Sequence, residues 1–268
     1  MNNIEKKAEQ LWGQDLHKEK SIPAHYHQLE RIFPKYWNTF LKGHLLEIGC
    51  GSGADLEIFS RDSKFSSITA IDIGENVIEI ANKYSDKPHI SVQQGNALNL
   101  SHKNNAFDAI YSYGVFHHTS NPTQCISEAF RVLKKNGAMF TYLYSAHEDS
   151  LFKRTGIIIE NWIMKLLRFF PYKIQTYFCI LLSPICWLLL SLPSIVLRLL
   201  GKKNLASKLP FHFGTHPFSL IGDLKDRLMS PINHRFTKNE IEKILRSVGF
   251  ICIDVVKTSS GLFIFARR

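Results

Sequence analysis

Leu45-Leu46-Glu47-Ile48-Gly49-Cys50-Gly51-Ser52-Gly53 decides the reading of this 268-residue chain. A short apolar run of strand character ends in three glycines at alternate positions, and a helix-forming segment follows from Ala54. Glycine lets the backbone turn sharply and approach a ligand closely. A strand, a glycine loop and a helix in that order make a ligand loop of an open parallel sheet, where ligands sit at the carboxyl ends of the strands. Asp72 closes the next apolar run, 19 residues after Gly53. A carboxylate at that place can accept both ribose hydroxyls of a nucleoside. Gly49-x-Gly51-x-x-Ala54 also fits the dinucleotide fingerprint with alanine in its last place, which wants an acid about 20 residues further on. The loop alone is therefore compatible with NAD.

Working outward, apolar runs at 44–48, 67–71, 90–92, 109–111 and 138–144 alternate with helical patterns from 54, over 77–82 and over 123–135, the last stopped by Asn136-Gly137. Residues 1 to about 40 read as helical, ending near Pro34. The alternation resumes at Thr237, an N-cap for a helix that ends at Gly249, and runs at 250–256 and 262–266 flank the tight turn Ser259-Ser260-Gly261. Strands alternating with helices predict an α/β fold. The expected architecture is a Rossmann-like seven-stranded sheet, mostly parallel with an antiparallel last strand, plus an apolar helical insertion. It divides the chain into an N-terminal helical segment (1–40), a core (41–147 and 232–268) and an insertion or cap (148–231).

Further residues resemble the class I S-adenosylmethionine-dependent methyltransferases, of the methyltransferase type 11 kind. Glu47-x-Gly49-x-Gly51-x-Gly53 is similar to that family's first motif, and the acid two before the first glycine is no part of the dinucleotide pattern. Asp72 matches the acid at the end of the second strand. Gly95-Asn96-Ala97 resembles the adenine segment, although the family usually has Asp where this chain has Asn96. Phe107-Asp108-Ala109-Ile110-Tyr111-Ser112-Tyr113-Gly114-Val115-Phe116-His117-His118 is similar to the fourth-strand motif, and Arg131 to Gly137 to the helix and turn after it. The resemblance covers about residues 40–145 and, more weakly, 230–268. It implies S-adenosylmethionine as cofactor, with Glu47 on the methionine ammonium and the loop Gly49, Cys50, Gly51 and Gly53 beneath the methionine part. Asp72 and Ile73 would lie by the ribose, Asn96 and Ala97 by the adenine, and Tyr113 near the sulfonium.

A sulfonium methyl is already activated, so the protein mainly holds an acceptor in line and takes a proton from its oxygen or nitrogen. His117 and His118 follow the fourth strand, where the acceptor should lie, and histidine titrates near neutrality. At least one is expected to be the base, His117 being slightly preferred, while the other could be structural. His234 and Arg235, before the last helix, are candidate acceptor residues, with a helix-capping loop as the plainer reading. Tyr26, between His25 and His27, is a candidate cover for the cofactor. No metal site is expected: the five cysteines (Cys50, Cys125, Cys179, Cys186, Cys252) are odd in number and lack C-x-x-C spacing, which also points to a reducing cytoplasm. Two rival readings stand beside this one. One is an NAD(P)-dependent oxidoreductase. The other is a catalytically inactive cofactor-binding homologue, for which Asn96 is the hint.

Charge and apolarity coincide in the insertion. The chain carries 33 Lys/Arg against 23 Asp/Glu, and residues 148–208 hold nine Lys/Arg against three acids. The same stretch contains 24 uncharged residues, 174–197, and before them a basic amphipathic segment, 157–170, with Trp162 in it. Pro184 and Pro193 would break or kink a helix there. One bilayer crossing would put the last two strands on the wrong side of the membrane. The expectation is a monotopic contact of residues 150–200 with an anionic membrane surface, on a cytoplasmic protein. The alternative is a soluble apolar lid over the acceptor. Either implies a hydrophobic small-molecule or lipid-like acceptor, methylated on O or N, and not nucleic acid, since the basic residues alternate with aliphatic runs instead of stacking aromatics.

Overall fold

The computed structural model describes Lys7, Leu11, residues 25–212 and residues 214–268. The expected N-terminal helical segment therefore lies largely outside the described residues. Within them, α1 is Tyr26–Ile32 and α2 is Pro34–Phe40. Pro34 opens the second helix instead of only ending the first. Its fixed φ and missing amide hydrogen suit a first helical turn.

The elements then run β1 (Gly43–Ile48), α3 (Ala54–Phe59), β2 (Phe65–Asp72), α4 (Val77–Lys83), β3 (Ile90–Gln94), β4 (Phe107–Tyr113), α5 (Pro122–Val132) and β5 (Leu133–Leu143). After them come α6 (Leu151–Leu167), α7 (Tyr172–Cys186), α8 (Leu192–Leu199), α9 (Lys203–Ala206), α10 (Ile221–Leu228), α11 (Lys238–Val248), β6 (Ile251–Lys257) and β7 (Leu262–Arg267). The seven strands form one sheet in the order β3-β2-β1-β4-β5-β7-β6. β7 is antiparallel to both neighbours, and the pairs among β1 to β5 are parallel. This is the expected Rossmann-like α/β sheet, and the chain doubles back between β1 and β4. That reversal opens a crevice at the carboxyl ends of those two strands, the usual ligand place of such sheets.

Two buried layers flank the sheet. Leu45 points into one with Trp37, Phe59, Tyr111 and Phe140, and Leu46 into the other with Ile110, Phe116, Met139 and Ile264. Successive strand residues alternate faces, so the unbroken burial of Leu45, Leu46, Glu47 and Ile48 is what a strand covered on both sides requires. α11 begins with a full capping box between Thr237 and Glu240 and ends at Gly249 in the left-handed region.

One boundary differs from expectation. α5 stops at Val132, not at 135, and β5 starts at Leu133, not at 138. Leu133 pairs with Phe107 before the register shifts to Ala109 opposite Ala138. Strand pairing thus captures Leu133, whose 0 % exposure makes it core, and the polar residues after it bulge outward through Asn136 at φ 66°.

The chain divides into two compact units. One runs to Ala146 and resumes over Pro231–Arg268; the other is His147–Ser230. In the second unit the two prolines do not break the apolar segment. A single helix of 28 residues extends over Tyr172–Leu199. Its wider turn at Trp187–Ser191 lies between Pro184 and Pro193, the kind of turn that accommodates an interrupted hydrogen-bond ladder.

Candidate active site

All the sequence-derived site residues fall in the sheet-containing unit. β1 ends at Ile48, and the next amides, Gly49 and Cys50, both donate to the Ile71 carbonyl of β2, at 2.7 and 3.0 Å. Gly49, Gly51 and Gly53 all have φ between 52° and 79°. At Gly49 a side chain is excluded twice over, because a Cβ would lie 2.1 Å from the Val115 side chain. At Gly51 a Cβ would meet nothing within 4 Å, so the loop faces open space there. The Cys50 side chain is buried, and its thiol pKa is raised mainly by that burial.

Asp72 stands at the end of β2. Its Oδ2 accepts from the Gly51 amide at 2.8 Å and its Oδ1 from the Gly74 amide at 3.0 Å. Asn76 donates to the Gly51 carbonyl and ties the loop from the other side. Ile73 is half-buried and its carbonyl accepts from the Gln94 side-chain Nε2 at 2.8 Å. Beyond β3, the Asn96 carbonyl oxygen accepts from the Leu98 amide at 2.9 Å, which leaves the Asn96 NH₂ as that side chain's donor. Ala97 is buried next to it in sequence.

Glu47 is 2 % exposed, and its Oε2 has no hydrogen-bond partner among the described residues. Burial first, then the negative neighbours Asp55 and Asp72, push its carboxyl pKa well above the usual range. Asp55, which the sequence reading did not single out, is the hub beside it. It accepts from the backbone amides of His25 at 2.6 Å and Tyr26 at 2.7 Å, and from the Tyr111 hydroxyl at 2.9 Å. A segment 30 positions away is thereby latched to the first turn of α3. The only local sign was an acid in that turn.

Tyr113 sits between two rings, His25 at 4.1 Å and Tyr142 at 4.4 Å, and its hydroxyl donates to Gln28 at 3.0 Å. The cover over β4 is thus His25, not Tyr26. The Tyr26 ring is buried instead, against Trp37 at 5.0 Å and Phe59 at 5.4 Å. Asp108, at the other end of β4, lies away from the crevice and accepts from the His44 amide and Lys134, each at 2.9 Å.

The histidines follow β4 in a short turn, Phe116–His118. His117 is fully buried and stacks on Tyr144 at 4.0 Å. His118 lies 4.1 Å from it, ring to ring, and its Nδ1 is 2.9 Å from the Ile232 carbonyl. A carbonyl only accepts, so Nδ1 donates and the proton of a neutral ring is held there, off Nε2. The segment before α11 joins them. The His234 amide donates to the His117 carbonyl at 2.8 Å, Phe236 bridges to Ser145, and the Arg235 guanidinium lies 5.1 Å over the Tyr144 ring. The glycine loop after β1 therefore joins the buried Glu47 carboxyl and the Asp72 carboxyl at the end of β2, and the turn after β4 joins the two histidines to the segment before α11.

Comparison with known proteins bears on the domain and the fold. A family profile described as "Methyltransferase domain" matches residues 46–141. An uncharacterized chloroplastic methyltransferase of Arabidopsis thaliana is 25% identical over 152 residues, which is 54% of this chain and 42% of that protein. A demethylmenaquinone methyltransferase of Leptospira interrogans is 30% identical over 137 residues, 49% of this chain and 50% of its own length. The chain thus spans about half the length of these curated relatives or less. A crystal structure of a SAM-dependent methyltransferase from Aquifex aeolicus shares the fold, with a TM-score of 0.51 at 16% identity over 93% of this chain and 95% of that one. The match over residues 46–141 thus marks a methyltransferase domain within this chain, and its motifs and sheet order are those of the class I, S-adenosylmethionine-dependent type.

Proposed function

We propose that this protein transfers a methyl group from S-adenosylmethionine to an oxygen or nitrogen of a hydrophobic small-molecule or lipid-like acceptor, with His118 as the general base. The residues fit the cofactor. The orphaned Oε2 of Glu47 is a buried acceptor waiting for a cation, and the ammonium of the methionine part supplies one. Gly49, Cys50, Gly51 and Gly53 would carry the methionine part, Gly51 on the side where the loop faces open space. Asp72 and Ile73 would flank the ribose, Asn96 and Ala97 the adenine. Tyr113, held between His25 and Tyr142, would border the sulfonium through its ring edge.

Bound there, the cofactor supplies a methyl group on a positively charged sulfur, ready for in-line displacement. The chain's part is to orient the acceptor and to take its proton. The Ile232 carbonyl holds Nδ1 of His118 as a donor, which makes Nε2 the basic nitrogen of the neutral ring, and this hydrogen bond is the observation that carries the base assignment. His117, stacked on Tyr144 and joined through its carbonyl to His234, would position that turn. His234 and Arg235 would border the acceptor. Arg235, lying on the Tyr144 ring, suits an acceptor with a polar or anionic head on an apolar body.

Relatives support an apolar acceptor. Besides the demethylmenaquinone enzyme, a rice protein named 24-methylenesterol C-methyltransferase 2 is 29% identical over 140 residues. A hydrophobic acceptor also suits a cytoplasmic protein that works at a membrane surface. The test is incubation with labelled S-adenosylmethionine and a total lipid extract, followed by mass spectrometry of the labelled product. An apolar labelled product that disappears with His118→Ala is expected. Label only in polar metabolites, or an unimpaired His118→Ala, would overturn the assignment.

A further inference from the structure

The unit His147–Ser230 is built with its polarity reversed. In the helix Tyr172–Leu199 the buried positions are Cys179, Ser183, Ser191 and Ser194. The three serine hydroxyls donate inward to backbone carbonyls, Ser183 to Pro217 at 2.7 Å, Ser191 to Phe211 at 2.6 Å and Ser194 to Ala206 at 3.2 Å. The outward positions are aliphatic: Leu181 is 70 % exposed, Ile185 52 %, Leu188 56 % and Leu199 82 %. Helices of water-soluble proteins place these residue types the other way round.

α6 repeats the pattern. Leu151, Ile158, Trp162 and Leu166 recur every four or seven residues and form one exposed stripe, and Phe169 is exposed in the turn just past the helix. The opposite side packs Leu167 against Leu224 and Leu228 of α10, and there Glu160 pairs with Arg227 at 3.5 Å. So the acid of this helix is turned inward and its aromatic and aliphatic residues outward. Around the exposed apolar faces stand exposed cations: Arg154 and Lys165 beside the α6 stripe, Lys173 at the start of α7, and Arg198, Lys202 and Lys203 past its other end. Lys165 rests 5.9 Å from the Trp162 ring.

We infer that this face docks into one leaflet of an anionic lipid bilayer, with α6 and the Tyr172–Leu199 helix lying in its plane. The proposal rests on, and deepens, the membrane-surface reading given above. Apolar side chains would enter the acyl region, while the basic rim meets phosphate headgroups and Trp162 and Tyr177 take the boundary. The same rim argues against a second copy of this chain on the face, because like charges would oppose each other. The helix, ~42 Å long at 1.5 Å per residue, is long enough to cross a bilayer, and 17% of its apolar window is buried. Yet β5 and β7, which precede and follow the unit in the chain, are hydrogen-bonded neighbours. A crossing would need a return, and residues 201–230 carry Lys202, Lys203, Lys208, Lys225 and Arg227 and, among the described residues, no second helix of that kind. Lying in the plane avoids that return.

The test is flotation of the full chain, without cofactor or acceptor, on vesicles of equal parts phosphatidylglycerol and phosphatidylcholine and on phosphatidylcholine alone. The wild type should float with the anionic vesicles at low salt and be released roughly tenfold by high salt or by the neutral vesicles. Leu181→Asp with Ile185→Asp should cut flotation roughly tenfold or more, since each change removes an aliphatic side chain from the membrane phase. Leu181→Asn with Ile185→Asn serves if the charged pair fails to fold. S-adenosylhomocysteine titration of the same samples should be unaltered, which separates this proposal from the methyl-transfer reading. Wild type that stays in the soluble fraction with both vesicles at low salt would overturn the proposal. So would variants that float like wild type, or a dimer in vesicle-free sedimentation that the same substitutions dissociate.

Discussion

Replacing Glu47 with Gln separates the cofactor's affinity from the stability of the fold, and the two should move in opposite directions. The wild-type carboxyl is 2 % exposed, its Oε2 lacks a partner, and burial, Asp55 and Asp72 raise its pKa well above 4.5. A hydrogen bond between ionic partners contributes about 1.5–3 kcal/mol. At 1.4 kcal/mol per tenfold, Glu47→Gln should weaken S-adenosylhomocysteine binding by about 10- to 150-fold. The ligand-free fold should respond the other way. Because the folded pKa is raised, the native state binds the proton more tightly than the unfolded chain does. That stability is fully present below 4.5 and is lost as pH rises through the folded pKa. Glutamine carries no such loss, so the variant should melt at or above the wild-type temperature at pH 8 and lose its advantage toward pH 4. Titration calorimetry gives the first quantity, and thermal melts across pH give the second. Wild-type affinity in the variant, together with parallel melting curves, would refute the claim that Glu47 is a strained carboxylate awaiting an ammonium.

Four further outcomes follow from the same geometry. Asp72→Ala removes two candidate ribose contacts as well as the acceptor of the Gly51 and Gly74 amides, and should weaken cofactor binding at least ~100-fold in calorimetry; unchanged affinity would remove the ribose assignment. His118→Ala should lower kcat by roughly 100-fold or more with cofactor affinity intact, and a full rate would move the base elsewhere. Gly49→Ala, which brings a Cβ to 2.1 Å from Val115 at φ +79°, should cost about 3 kcal/mol or more in urea unfolding, and a loss below ~1 kcal/mol would contradict the close packing. Asp55→Ala strands the amides of His25 and Tyr26 and the Tyr111 hydroxyl, and should destabilise the fold by about 2–4 kcal/mol; an unchanged midpoint would dissolve the latch.

The sheet and its glycine loop were legible because their signals are local. A doubly covered strand is mostly apolar along its length, as Leu45, Leu46 and Ile48 are, and the turn into α3 needs residues that accept positive φ, so residues 45–53 announce both. Asp72 was legible for the same reason, as the acid that ends such a run. What escaped is held by contacts across long stretches of chain. Asp55 joins residues 30 and 56 positions away, and no spacing rule marks it. The cover on Tyr113 is His25 and not Tyr26 because Trp37 and Phe59 draw the Tyr26 ring inward. α5 ends at Val132 because Leu133 finds a strand partner, a tertiary pairing that overrides the helical pattern through 135. In the insertion, 24 uncharged residues revealed a helix but not its facing. Only with the serine hydroxyls placed on the carbonyls of Pro217, Phe211 and Ala206 does the outward side prove to be aliphatic.

The proposed grip on S-adenosylmethionine has two points, its neutral ribose hydroxyls on Asp72 and its charged ammonium on Glu47. A crystal structure of the chain soaked with S-adenosylhomocysteine tests it most directly. Ribose hydroxyls within hydrogen-bond distance of the Asp72 carboxylate, and the ligand ammonium on Glu47 Oε2, are expected. A ligand bound at another surface, with these two carboxylates still facing only the protein, would contradict it.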